Sequence, residues 1–113
     1  MRQCAKCARV RWKARLASTK FFQTQAKQHA SYWLGLAQFD DGNLEAAASW
    51  FKDRSLELYP NGVWTAGARY NLARTYEALG DYERARELYL EDESPQQHGN
   101  LIRAKLLARA TKG

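Results

Sequence analysis

The chain has 113 residues, 45% of them hydrophobic and 12% aromatic, which is one domain's length with enough apolar material for a core. That aromatic share excludes full disorder, two prolines exclude collagen-like and polyproline architectures, and no apolar run approaches the roughly 18–20 residues of a membrane span. The formal net charge of +6 divides into three blocks: eight bases and no acid in residues 1–30, all twelve acids with six bases in residues 31–100, and four bases with no acid in residues 101–113.

Residues 1–28 fall within the first of these blocks. From residue 3 to 28 there is no Gly or Pro, so the segment predicts one long helix or two. Its apolar stripe runs Cys7, Val10, Ala14, Ala17, Phe21, widened by Trp12 and Leu16. That stripe fits packing against the next helix or a basic amphipathic surface helix. The charge blocks allow two matching readings: basic ends lying against the acidic middle, or a basic arm that binds nucleic acid or anionic membrane. The segment is Arg-rich and acid-free like a transit peptide but poor in Ser, and bases interrupt every stretch before Phe21 that could serve as a secretory apolar region. Cys4-Ala-Lys-Cys7 has the spacing of half a zinc site. The chain has no other Cys, and His29 and His98 stand apart, so no metal site and no cofactor is expected.

Two similar segments follow, 38 residues apart: Ser31 to Ala47 and Arg69 to Ala85. Tyr32 matches Tyr70, Leu34 matches Leu72, Gly42 matches Gly80 and Ala47 matches Ala85. Each reads as helix, tight turn, helix. The first helices carry Leu34 and Ala37, then Leu72, Thr75 and Tyr76, at helical spacing. Gly42 and Gly80 predict left-handed stops, with Asn43 and Asp81 as caps of the next helices. The second helices carry Leu44, Ala47, Trp50 and Phe51, then Tyr82, Ala85, Leu88 and Tyr89. Small residues mark the expected crossings: Gly35 with Ala47, and Ala73 with Ala85. Between the pairs, Trp64 reads as a lid on the inter-repeat core or as an exposed contact. Ser94-Pro95 predicts a helix start, which Gly99-Asn100 would delay. Leu101, Ile102, Lys105, Leu106 and Ala110 then give a short amphipathic helix with a basic outer face, a cap over the second pair.

These residues resemble the tetratricopeptide repeat. The second segment matches its signature at Leu72, Ala73, Tyr76, Gly80, Tyr82, Ala85 and Tyr89. The first matches at Leu34, Gly35, Gly42, Ala47, Phe51 and Pro60; it has Gln38 where the family has Tyr, and about one extra residue between Phe51 and Pro60. The resemblance implies an all-α fold, a short right-handed solenoid of antiparallel helix hairpins with about six helices. It would comprise a basic helical segment over 1–28, two repeats over 29–93 (29–62 and 67–93), and a capping helix with a basic tail over 94–113. Leu58-Tyr59-Pro60-Asn61-Gly62 with Ala66, Tyr70 and Leu72 is similar to the longer repeats of bacterial envelope proteins. That similarity implies a scaffold of the cell envelope or periplasm if the chain is part of a longer protein; a true start at Met1 would imply the cytoplasm.

No nucleophile–base pair and no phosphate-cradling glycine loop is legible, so a non-catalytic module is expected. The resemblance implies a protein-interaction or scaffolding role, with a peptide or helix of a protein partner bound on a concave face lined by the first helices. The family's groove positions fall on Tyr32, Leu36, Phe39 and Asp40 in the first repeat and on Tyr70, Arg74 and Glu77 in the second. Tyr32 and Leu36 stand where the family's carboxylate clamp has Lys and Asn, so an apolar or amphipathic segment fits better. Two repeats are fewer than the three or so that stability usually needs. A homo-oligomer, or the C-terminal end of a longer array, is therefore a further expectation.

Overall fold

The computed structural model describes the backbone of residues 5–112 and the side chains of residues 20 and 23–110. Among the described residues every regular element is a helix: α1 (Ala5–Asp40), α2 (Leu44–Ser49, running on as a π-helical segment, Trp50–Leu56), α3 (Thr65–Leu79), α4 (Tyr82–Leu90) and α5 (Gln97–Lys112). That is five helices where the sequence suggests about six, because the basic N-terminal segment and the first helix of the first pair are one uninterrupted helix. The stacking order is sequential: α1 packs on α2, α2 on α3, α3 on α4, and α4 on α5.

Both tight turns have the same construction. Gly42 and Gly80 lie at φ 83° and 85°, a region that an L-residue with a Cβ enters only with strain. The N–H of Gly42 donates to Phe39 O (3.0 Å) and that of Asn43 to Gln38 O (2.9 Å); Gly80 donates to Glu77 O (3.1 Å) and Asp81 to Tyr76 O (2.9 Å). These paired bonds satisfy the last carbonyls of α1 and α3. The capping expectation holds at Asp81, whose Oδ1 accepts from Arg84 N at 3.3 Å. It fails at Asn43, whose amide donates to Gln38 Oε1 instead (3.0 Å).

The buried core consists of Ala47, Phe51, Ala68, Leu72, Ala73, Tyr76, Ala85, Tyr89, Ala104 and Leu107. Half of these are alanine, which lets helices cross closely around a few aromatic rings. Gly35 shows the limit: a Cβ there would come within 2.5 Å of Phe51 Cε1. The ring of Phe51, rather than Ala47, is therefore what the small residue admits. The extra residue of the first repeat falls in the stretch that becomes π-helical, where a wider turn accommodates one more residue.

Two apolar stripes differ from the sequence reading. Leu34 is exposed, while Gln28, Tyr32, Gly35, Leu36 and Phe39 face inward or lie half-buried. On α5, Leu101, Ile102 and Leu106 are exposed, and Asn100, Ala104 and Leu107 are buried. α4 meets α5 on the side where Ala104 allows close approach, and that contact decides which of two plausible stripes is covered.

The long connection between α2 and α3 is tied to α1 by one buried amide. Gln28 Nε2 donates to Tyr59 O (3.1 Å) and to Thr65 Oγ1 (3.2 Å), and Gln28 Oε1 accepts from Trp64 N (3.1 Å). Thr65 Oγ1 in turn donates to Tyr59 O (2.9 Å). Trp64 is half-buried, stacked on Tyr32 with centroids 5.0 Å apart and edge-on to His29 at 4.7 Å.

Candidate partner-binding surface

Tyr70, Arg74 and Glu77 recur at four- and three-residue spacing on α3, which places them on one face of that helix. The face is organised from below by Asn71, a buried polar residue. Its amide donates to the hydroxyl of Tyr32 (2.9 Å) and to Gly67 O (3.0 Å). Its Oδ1 accepts from Arg74 Nη1 at 3.1 Å. The guanidinium so held lies over two rings, 4.9 Å from the centroid of Phe39 and 5.9 Å from that of Tyr70. One amide thus joins α1 to α3 and sets the direction of a cation on the surface.

Across from α3, α5 contributes Arg103, whose guanidinium carbon is 5.4 Å from the Tyr70 centroid. Between α3 and α5 lie two cavities. One, of about 560 Å³, is walled by Ala66, Gly67, Tyr70, Asn100 and Arg103; the other, of about 610 Å³, by Arg74, Ala78, Tyr82, Arg103 and Leu107. Arg103 borders both. Glu77 borders the second cavity with both arginines, and Asp92 borders the first with Arg103. Glu77 Oε2 accepts from the hydroxyl of Tyr89 at 2.9 Å. Burial, reinforced by that bond to Glu77, pushes the Tyr89 phenol up to about 12. Asp92 is buried, which opposes its ionisation. The side chain and backbone N–H of Ser94, the amide of Asn100 and the charge of Arg69 outweigh that and hold its carboxyl below the ordinary value.

A family model described as tetratricopeptide repeat matches residues 28–91, more than half of the chain. The chain is a tetratricopeptide-repeat protein. No curated protein matches it closely enough to count as a relative. Tetratricopeptide repeats generally mediate protein–protein interaction or scaffolding, and the family is typically non-catalytic. In this member, the residues named from sequence divide into three groups. Phe39, Tyr70 and Arg74 meet directly, and Glu77 lies one turn further along α3. Tyr32 and Leu36 are half-buried against the core, Tyr32 with its hydroxyl engaged by Asn71 and its ring 3.3 Å from where a Cβ on Gly67 would stand. Asp40 is exposed at the end of α1.

Sequence reasoning missed Arg103 and Asn71. Arg103 carries no sequence signal beyond being one base among several on the capping helix, and α5 sets its guanidinium over Tyr70. Asn71 carries no sequence signal, since a lone Asn inside a helix reads as neutral. The side chains of Cys4, Cys7, Trp12 and Phe21, which the zinc and basic-segment readings concern, lie outside the described residues. Among the described residues no three His, Cys, Asp or Glu gather as metal ligands, and no helix is long and apolar enough to cross a membrane.

Proposed function

We propose that this chain is a protein-interaction module that captures a peptide or helix of a partner protein on the face built by α1, α3 and α5. Tyr32, Leu36, Phe39, Asp40, Tyr70, Arg74 and Glu77 are its contact residues, joined by Arg103. The observation that carries this reading is the continuous line Phe39–Arg74–Tyr70–Arg103 across α1, α3 and α5, with open space on both sides of Arg103. Rigid aromatic rings and pre-oriented guanidinium groups are the side chains that dominate binding energy at interfaces. The repeats over 29–62 and 67–93 supply the scaffold, and residues 94–113 close it.

The test compares proteins captured by the full chain with those captured by Tyr70→Ala and Arg74→Ala variants, after circular dichroism shows that each variant keeps its helices. The expected result is that specific partners are lost from both variants together. Identical capture by wild type and variants would sink the reading. A second reading rests on the eight acid-free bases of residues 1–30, which suit a polyanion such as nucleic acid or an anionic membrane, with the repeats as an adaptor. It requires binding that falls steeply with salt and survives both α3 substitutions.

A further inference from the structure

We infer that the first half of α1, from Ala5 to Thr24, is one strand of a two-stranded coiled coil, and that the second strand is an acidic amphipathic helix of a partner protein. This site is separate from the groove and does not rest on it.

The length of α1 exceeds what the stack covers. Its 36 residues make about 54 Å of helix. Its hairpin partner, the 6 residues of α2 with the 7 of the π-helical segment, makes no more than about 20 Å. The covered stretch ends within the described side chains. Gln28 has no exposed surface, whereas Thr24, one turn earlier, is exposed, and its hydroxyl donates to Lys20 O of the same helix (3.0 Å). About 30 Å of helix therefore precedes the stack.

The register of that stretch is a heptad repeat. With the buried Gln28 and Gly35 as position a, the same position falls on Cys7, Ala14 and Phe21, and position d falls on Val10, Ala17 and Thr24. This seam continues, in phase, the side of α1 that the stack covers further along. Position g is lysine four times in succession, at Lys6, Lys13, Lys20 and Lys27, about 10.5 Å apart along the axis. Position e holds Arg11, Ser18 and Gln25. Lys20 and Lys27, whose side chains are described, are exposed, and neither makes an ion pair among the described residues.

Charge selects the occupant, because positions e and g set partner choice in a coiled coil. A second copy of this arm would face lysine with lysine in an antiparallel pair, where g meets g. In a parallel pair, where g meets e, Lys6 would face Arg11. The arm thus repels itself, and a helix with Glu or Asp at its own e and g positions is its complement. A lipid surface takes a broad apolar face with large side chains. Here Ala14 and Ala17 keep the seam shallow, which suits close approach of a helix, and Trp12 and Leu16 hold positions f and c, away from it. A nucleic acid would use the lysines and leave the seam without a role.

The probe is a synthetic four-heptad peptide with Leu at a and d and Glu at e and g, labelled and added to the full chain at physiological salt. One control has the same composition in scrambled order, and another has Lys in place of Glu. The heptad peptide is expected to bind by fluorescence anisotropy with a gain of helical circular dichroism on mixing, and the controls are not. Reversing two charges in one chain, Lys13→Glu with Lys20→Glu, should weaken the acidic peptide about tenfold, as two attractions become two repulsions. The same variant should gain binding of the lysine peptide. Ala14→Lys separates seam from charge: it should weaken the heptad peptide, whereas a ligand held by charge alone would bind more tightly. Equal binding of heptad and scrambled peptides, strengthened by Ala14→Lys, would reduce the arm to a polycation and overturn the inference. Capture of duplex DNA or of phosphatidylglycerol vesicles, with no helix gained by the acidic peptide, would overturn it in favour of the polyanion reading. A dimer of the chain that the acidic peptide fails to dissociate would overturn it in favour of self-pairing.

Discussion

Gln28 is a polar side chain with no exposed surface, and its amide spends both ends on the connection between α2 and α3. Removing it leaves Trp64 N–H without an acceptor, while Tyr59 O keeps the bond from Thr65. An orphaned buried donor costs about 1–3 kcal/mol, so Gln28→Ala should lower the urea midpoint by a corresponding amount with the slope unchanged. Gly62 supplies the complementary test. A Cβ at Gly62 would collide with Gln28 Oε1, so Gly62→Ala should also destabilise. In the Gln28→Ala background the obstacle is gone, and the second substitution should cost much less than it does alone. Additive costs in the double variant would show that the clash is relieved elsewhere. Neither residue was legible as a hub, because Gln28 finds its partners 31 to 37 residues away in sequence, and no local pattern reports a contact of that span.

At the scale of elements, the sequence foretold what local chemistry decides and missed what packing decides. Gly42 and Gly80 were readable as helix stops because only a left-handed residue closes those turns. The extra residue between Phe51 and Pro60 was countable, but no local pattern announced the π-helical turn over Trp50–Leu56. Leu101, Ile102 and Leu106 made as good a stripe as Asn100, Ala104 and Leu107, and only the position of α4 chose between them. The Tyr89–Glu77 pair joins α4 to α3 and has a measurable consequence. The phenol ionises at about 12 in the fold against an ordinary 10.0. The unfolded chain therefore loses the proton first as pH rises. The contribution of this group to stability is complete below pH 10 and is lost between about 10 and 12. Urea midpoints of wild type and Tyr89→Phe should fall in parallel up to pH 10, and above it the wild type should fall faster. Curves that stay parallel to pH 12 would show that the phenol is not held neutral by the fold.

The whole molecule is a stack in which each helix meets its neighbours, and the two repeats differ in how completely that stack covers them. Leu34 and Leu72 hold corresponding places, yet Leu72 is buried where Leu56 of the preceding repeat packs on the core, and Leu34 is 44% exposed beside Trp33 at 53%. In a repeat array, stability is a sum of units and of interfaces between neighbours, so the same residue type carries different weight at the two positions. Leu72→Ala should cost about 2–5 kcal/mol, the range for a leucine cut from a packed core. Leu34→Ala should stay within about 0.5 kcal/mol, as for a surface change. The two denaturation curves decide the matter at one protein concentration. A Leu34 cost as large as that of Leu72 would mean that this face is covered in solution. If the cover were a second copy of the chain, the Leu34 penalty would grow with protein concentration, because association stabilises by mass action. A penalty that is small and independent of concentration leaves the face open, as the exposure of Leu34 requires.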